Sequence, residues 1–185
     1  MENIRHLSVT ELEAGLSVID KSPQETGSLE LIVRRPQTDE REILSEAELT
    51  PQTGLVGDNW ASRGSSRTPD GSAHPDMQLT LINSRVLSLL AQAKERWPLA
   101  GDQLVVDFDL SIANTPPGTR LRIGSAVVEI TAQPHTGCPK FAARFGHDAL
   151  LFVNAPARKE FRLRGVNARV VEPGAIKIGD ALTKL

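Results

Sequence analysis

The single cysteine of the chain, Cys138, lies in a segment rich in cationic and polar side chains, PHTGCPKFAARFG (residues 134–146). His135 precedes it, and Lys140 and Arg144 follow it. Pro139 suits the first turn of a helix, where a missing N–H is tolerated, so Cys138 is predicted to lie at a helix start. Unpaired backbone N–H groups and cations at that position favour the thiolate, which is the reactive and metal-binding form of cysteine.

The residue types in the chain limit the reactions and ligands that the thiol could support. One cysteine cannot form an intramolecular disulfide, a Cys-x-x-Cys redox motif or a Cys/His zinc quartet. A papain-like protease needs a histidine base from elsewhere in the chain, and His135 lies too near in sequence to be a good candidate. A soft metal such as molybdenum or copper(I) remains, bound together with a cofactor that supplies its other ligands. The alternative is an inert, buried cysteine, which the neighbouring loop residues disfavour.

Composition places the chain among ordinary globular proteins of one-domain length. It has 185 residues, of which 39% are hydrophobic and 24% charged. A net charge of −2 and an aromatic content of 4% argue against nucleic-acid binding. No apolar run approaches membrane-spanning length, and the N-terminus lacks the apolar region of a secretory signal, so we expect a cytoplasmic location without membrane association.

Short strands dominate the predicted secondary structure. Six to eight strands separated by Pro/Gly turns, with two or three helices, predict a closed or nearly closed sheet. No alternation of strands and helices is evident, which argues against a doubly wound sheet. Ser8 and Glu11 have the spacing of a capping box at the start of a short helix, and Asn83 or Ser84 caps a second helix that runs to Trp97. Residues 54–76, rich in Gly, Ser, Asp and Pro, are predicted to form a long functional loop that walls the cleft facing Cys138.

Six segments together resemble a MOSC domain, the fold found at the C-terminus of molybdenum cofactor sulfurases and in small stand-alone bacterial proteins. They are GLVGDNW, MQLTLIN, GDQLVVDFDL, PPGTRLRIGSAVVEIT, PHTGC and FRLRGVNARVVEPGAIKIGDAL. The resemblance covers about residues 25–185 and leaves residues 1–24 as a helical N-terminal extension. It implies a mainly β fold with a few helices, a barrel similar to the β-barrel domain of pyruvate kinase, and the family-level property of pyridoxal phosphate binding.

The resemblance also implies a function for the thiol. Cys138 would be a molybdenum ligand or a sulfur carrier in a protein that binds the molybdenum cofactor, molybdopterin. The amidoxime-reducing relatives reduce N-hydroxylated compounds with electrons from partner proteins, so we expect an oxidoreductase acting on a small N-hydroxylated substrate with an electron-donor protein. The alternative is a carrier that takes a persulfide from a desulfurase for metal–sulfur cluster or cofactor assembly. A non-enzymatic storage module and a homodimer both stay open.

The candidate site residues follow from the thiol, the cofactor phosphate and the resemblance. A phosphate favours arginine and backbone N–H donors. The expected catalytic residues are Cys138, also the metal ligand, and His135. The expected cofactor-binding residues are Asp58, Asn59, Thr136, Gly137, Lys140, Arg144 and Arg164. We expect Arg164, and Lys140 or Arg144, to face the same cleft as Cys138. Treated as a surface residue, Arg164 would contribute to cofactor retention more than to folding.

Overall fold

The computed structural model describes residues 5–185 and is built on short strands. In chain order these are β1 Thr26–Arg34, β2 Glu42–Leu44, β3 Glu46–Thr50, β4 Gly54–Leu55, β5 Leu79–Asn83, β6 Leu104–Asp107, β7 Arg120–Ile123, β8 Ala126–Ile130, β9 Val166–Glu172, β10 Gly174–Lys177 and β11 Ala181–Lys184. The α-helices are α1 Val9–Ala14, α2 Leu16–Ile19, α3 Trp60–Arg63, α4 Ser84–Ala91, α5 Pro139–Phe145 and α6 His147–Asn154. Three 3₁₀ segments cover Pro75–Met77, Lys94–Ala100 and Pro156–Phe161.

Seven strands close into a barrel in the order β11-β7-β8-β9-β5-β6-β1, and β1 pairs back to β11. Strand β1 closes the ring, because its first residues pair with β11 while the residues from Ser28 to Ile32 pair with β6. All neighbours in the ring are antiparallel except β5 and β6, which are parallel and joined through α4. The sheet is therefore closed, as the sequence predicted, with one strand–helix–strand unit that the sequence pattern did not reveal.

Alternating side chains fill the barrel. In β7, Leu121 and Ile123 are buried while Arg120 and Arg122 are exposed. This two-residue alternation is typical of a strand with one solvent-exposed face. Every strand of the ring contributes to one apolar cluster, and Leu49, Leu55 and Ile176 from the small sheet β10-β3-β4 join it. Burying each such side chain contributes about 1.5–3 kcal/mol before entropy is subtracted.

A second apolar cluster lies on the outer face of the sheet and fixes the helices. Ile82 and Val105 point outward from β5 and β6 into this cluster, opposite to their barrel-facing neighbours. Phe141 and Phe145 anchor α5 there, with ring centroids 4.9 Å apart. Because α5 is held by these two rings, the residue that precedes it, Cys138, has a defined position at the edge of the barrel.

Several sequence expectations hold and others need correction. The capping box of Ser8 and Glu11 is present at α1. The helix predicted to reach Trp97 ends earlier, because Gln92 takes a left-handed conformation (φ 61°) and a 3₁₀ segment follows. Residues 54–76 are not one structureless loop, since β4 and α3 lie within them. Residues 5–185 contain eleven strands and six α-helices, more than predicted, because many have only two to four residues.

The predicted boundary between an N-terminal extension (residues 1–24) and the barrel (residues 25–185) stays a prediction, and residues 1–4 lie outside the described part. Within the described part, Leu12 of α1 and Ile19 of α2 are buried in the second apolar cluster. No helix in residues 5–185 is long and apolar enough to cross a membrane.

Candidate functional site

A cleft of about 310 Å³ opens at the edge of the barrel where α5 faces the segment after β1. Side chains from β5, β9, α3 and the loops around them complete its walls. The lining residues are Arg35, Gln37, Thr38, Asp39, Arg41, Asn59, Arg63, Met77, Thr80, Gly101, His135, Cys138, Lys140, Phe141, Arg144, Arg164 and Asn167. The cleft thus gathers residues that are more than 130 positions apart in the sequence.

Positive charge is concentrated in this cleft. Five arginines and Lys140 line it, and among the described residues its one acidic lining residue is Asp39. Burial and the nearby Arg144 and Arg35 lower the pKa of Arg41, and burial and Arg35 lower the pKa of Arg63. Cations that depress one another's pKa values in this way would be stabilised by a bound anion. The chain carries a net charge of −2, so the positive field is a local property of this site.

The first buried ion pair behind the cleft joins Arg35 and Asp58. The Asp58 side chain is fully buried and accepts hydrogen bonds from Arg35 Nε at 2.9 Å and Nη2 at 2.7 Å. It also accepts from the backbone N–H groups of Arg35 and Trp60. Asp58 was expected to contact the cofactor, but the structure places it behind the wall, where it fixes Arg35 and the start of α3.

The second buried pair joins Arg164 and Asp102. Arg164 Nη1 donates to Asp102 Oδ2 at 2.7 Å and Nη2 donates to the Ala100 carbonyl at 3.0 Å. The guanidinium also stacks over the ring of Phe141, 4.9 Å from its centroid. The expectation that Arg164 is a surface residue is wrong, because only 9% of its side chain is exposed. Removing it would leave a buried carboxylate unpaired, so its contribution to folding is large.

His135 lies against the same carboxylate. Its Nδ1 is 3.6 Å from Asp102 Oδ1, and neither atom has a hydrogen-bond partner within residues 5–185. Burial, together with Arg164 and Arg35, lowers the pKa of His135 well below its ordinary value, and burial raises the pKa of Asp102 despite Arg164. His135 is therefore a neutral imidazole at neutral pH, with an acidic group next to Nδ1.

Cys138 is exposed at the N-cap position of α5, as predicted. Lys140 and Arg144, about one turn apart on α5, both reach toward the carboxylate of Asp39. Lys140 Nζ lies 3.0 Å from Asp39 Oδ2, and Arg144 Nη2 lies 3.1 Å from Asp39 Oδ1. Asp39 is thus an internal anion between two cations near the thiol, and these ion pairs hold down its pKa.

Unpaired polar atoms gather at the cleft. Six buried side-chain nitrogen and oxygen atoms within residues 5–185 have no hydrogen-bond partner: Arg41 Nε, Asn59 Oδ1, Asp102 Oδ1, His135 Nδ1, Arg164 Nε and Asn167 Oδ1. Five belong to residues that line the cleft, and Asp102 lies directly behind two of them. Buried polar atoms are usually paired, so a cluster of exceptions in one cleft marks a place where water, or a ligand with both donors and acceptors, would complete the pairing.

Besides Asp58, two of the expected site residues do not line this cleft. Thr136 lines a neighbouring cavity instead. Gly137 lines neither space, because its backbone is fixed to α6 by hydrogen bonds with the Asn154 side chain. An added Cβ on Gly137 would lie 2.7 Å from the Leu150 side chain, so a larger residue here would require that side chain to shift. Asn59, Lys140, Arg144 and Arg164 do line the cleft with Cys138.

Sequence reasoning missed several residues of the site. Arg35, Arg41 and Arg63 line the cleft from segments that carry no recognisable motif. Asn167 was also missed: it donates to the Gln133 and Pro134 carbonyls and so fixes the segment that leads to His135. The one sequence signal for Asn167 is its position between Val166 and Ala168 in a strand. Neighbouring residues of a strand point to opposite faces, so a polar residue between two apolar ones faces away from the barrel interior.

Comparison with known proteins identifies the family. Residues 69–183 match the MOSC domain, and the chain belongs to this family. No curated protein matches the chain.

Solved structures support the same fold. The YuaD protein from Bacillus subtilis is similar, with 16% identity and a TM-score of 0.59 over 86% of this chain and 95% of that one. YiiM from Escherichia coli shows 20% identity and a TM-score of 0.53 over 85% of this chain and 69% of its own. YiiM from Geobacillus stearothermophilus shows 14% identity and a TM-score of 0.51 over 86% and 73%.

Proposed function

We propose that the cationic cleft binds the molybdenum cofactor and that the protein is an oxidoreductase that reduces small N-hydroxylated compounds. The observation that carries the proposal is the coincidence, in one cleft, of an exposed thiol, six cations and five residues with unpaired buried polar atoms. An anionic, heteroaromatic ligand with a soft metal matches all three features. Membership of the MOSC family supports this choice of ligand.

The lining residues fit such a cofactor by type. Arg41, Arg63, Lys140 and Arg144 would hold its phosphate, because arginine and lysine form charge-assisted hydrogen bonds to phosphate oxygens. Asn59 Oδ1 and Asn167 Oδ1 are acceptors without partners in the described chain and would receive the N–H groups of the pterin. These assignments leave Cys138 for the metal.

Cys138 is the one thiol among the described residues that line the cleft, and we propose it as the metal ligand. Within residues 5–185 no three His, Cys, Asp or Glu side chains converge as a metal site. A metal on this thiolate would complete its coordination with ligands from the cofactor. When bound, the cofactor would supply the two-electron redox centre, and the protein would supply binding, orientation and protons.

His135 is the proposed proton-handling residue of the chain. Its neutral imidazole lines the cleft, where it can give or take one proton as an N–OH group is reduced. Asp102 Oδ1 lies 3.6 Å from Nδ1, and a small shift of either side chain would let it accept a hydrogen bond from Nδ1–H, which would select one tautomer and leave Nε2 as the acceptor. Arg164 holds the far oxygen of Asp102 and so orients this carboxylate. We propose that electrons come from a partner protein.

The test measures the cofactor and the reaction on the same preparations. The wild-type protein is purified from a molybdenum-replete host and analysed for molybdenum and pterin, then assayed with an N-hydroxylated compound and reduced methyl viologen. Cys138→Ser should lose molybdenum and activity while its circular dichroism and unfolding midpoint stay unchanged, because the side chain is exposed. Ser66→Ala, an exposed change outside the cleft, is the matched control. Full molybdenum content and activity in Cys138→Ser would exclude the ligand role.

A sulfur carrier is the second candidate, favoured by the exposure of Cys138. An exposed thiol at the mouth of a cationic cleft is accessible to a desulfurase, and thiolate character and exposure favour persulfide formation. Incubation with a cysteine desulfurase and cysteine should then add the mass of one sulfur atom to Cys138, in protein that lacks molybdenum. A preparation with stoichiometric molybdopterin and no such adduct would exclude the carrier.

A further inference from the structure

A second, larger cavity of about 520 Å³ lies next to the cationic cleft. It is bounded by the segment after β8, the end of α6 with the 3₁₀ segment that follows, and the loop before β7. Two residues, His135 and Arg164, line both spaces and form the wall between them. The volume is within the range of cavities that enclose small organic ligands.

The two spaces differ in chemistry. The walls of the second cavity are mainly aliphatic: Ile112, Pro117, Ala132, Pro134, Val153, Ala155, Pro156 and Val166. The charged residues that line it, Lys159, Arg162 and Arg164, are all cations, and no Asp or Glu lines it within the described chain. An apolar wall combined with positive charge selects a ligand with an apolar body and an anionic group.

The cations are placed to act on such a ligand. Arg162 lies at the end of the 3₁₀ segment in a left-handed conformation (φ 48°) and donates through Nη1 to the Thr115 carbonyl at 2.6 Å. Burial lowers the pKa of Arg162, so this charge is partly removed from water. Arg164 is more than nine-tenths buried and its Nε has no partner in residues 5–185. Lys159 is exposed at the mouth.

We propose that this second cavity binds a small organic anion with an apolar body, of the size of an aromatic carboxylate. The cavity meets the cationic cleft at His135, so its occupant lies next to the imidazole that the site uses for protons. We further infer that this occupant is the substrate, an N-hydroxylated compound that carries an apolar ring and an acidic group. The assignment as substrate rests on the proposed function, whereas binding of the anion does not.

The experiment therefore uses protein without cofactor. Benzoate, benzamide and benzylamine share one ring and differ in charge, and each is titrated into ¹⁵N-labelled protein while amide shifts are followed. Benzoate should bind most tightly and benzylamine most weakly. The largest shifts should fall at Thr136, Asn154 and Gly165, which line the second cavity alone.

Three lysine variants locate the binding. Lys159→Ala should weaken benzoate binding about threefold to fivefold, the size of one exposed charge interaction. Lys140→Ala, which removes a cation from the first cleft, and Lys177→Ala, an exposed lysine outside both spaces, should leave benzoate binding unchanged.

Shifts confined to the first cleft and weakened by Lys140→Ala would overturn the proposal, as would equal binding of the three ring compounds or no binding at all. Because molybdenum and pterin are absent from this assay, its failure is distinct from failure of the proposed function.

Discussion

The inside of the barrel is filled by apolar side chains, whereas the cleft at its edge concentrates polar groups. The barrel cluster consists of aliphatic side chains and Phe108, almost all fully buried. The cleft holds cations, two buried ion pairs in its wall and nearly all the unpaired polar atoms found in residues 5–185. The barrel buries apolar side chains that stabilise the fold, whereas the cleft leaves polar groups that the proposed cofactor would pair. Variants in the two regions should therefore separate stability from binding.

The largest expected effect is on stability, although the residue that is changed, Arg164, lines the cleft. Arg164→Ala should lower the free energy of unfolding by about 3–5 kcal/mol, because it breaks a buried ion pair and leaves Asp102 unpaired. The loss should grow as the pH rises, because burial already raises the pKa of Asp102 and ionisation without Arg164 is costlier. Urea unfolding at several pH values measures both effects.

A double variant is the control for that prediction. Arg164→Met with Asp102→Leu replaces the pair by apolar side chains and should recover most of the stability. It should not recover cofactor binding, since the guanidinium and the group beside His135 are gone. A loss below 1 kcal/mol in Arg164→Ala would show that the pair contributes less than its burial implies.

The barrel variant should show the opposite combination. Leu81 is fully buried in the barrel cluster, so Leu81→Ala should cost about 2–5 kcal/mol from lost transfer energy and the cavity left behind. Cofactor content per folded molecule should stay at the wild-type level. Leu81→Ile, which conserves volume, should cost less than about 1.5 kcal/mol. Loss of cofactor from folded Leu81→Ala would contradict the separation of the two regions.

The pH dependence of stability tests the environment of His135. Its pKa is lowered in the folded protein, so the unfolded chain binds the extra proton and stability falls as the pH drops below about 6.5, the ordinary value. The slope should approach at most about 1.4 kcal/mol per pH unit for one proton. His135→Gln should flatten the curve between pH 6.5 and 5, while His147→Gln, an exposed change on α6, should not. Identical curves for wild type and His135→Gln would refute a buried neutral imidazole.

The smallest expected effect concerns Asp39, the carboxylate that lies between two cations of the cleft. Asp39→Asn removes the carboxylate that pairs with Lys140 and Arg144, so both cations become available to an added anion. Calorimetric titration should show inorganic phosphate binding severalfold more tightly, with the unfolding midpoint nearly unchanged because Asp39 and Lys140 are exposed. Asp70→Asn, on an exposed part of the chain outside the cleft, should bind phosphate like the wild type. Equal affinities in wild type and Asp39→Asn would show that Asp39 does not compete for the site.

The sequence by itself determined the local features of this protein. The alternation of Leu121 and Ile123 with Arg120 and Arg122 predicts a strand that buries one face, and many such strands predict closure of the sheet. Gly137 and Pro139 around the thiol predict a loop followed by a helix start, and Cys138 is exposed at that position. These features depend on neighbours within a few residues, so the order of residue types is enough to specify them.

Only the tertiary structure decided which charged groups meet. Asp58 and Arg35 are 23 residues apart and Asp102 and Arg164 are 62 apart, and nothing in either local pattern indicates a partner. Asn167 has the alternation of an outward strand residue, yet the segment leading to His135 covers it and makes it part of the cleft wall. Whether a charged side chain is buried depends on which other parts of the fold pack over it. Whether an arginine is a solvated surface charge or half of a buried pair therefore depends on the closed barrel as a whole.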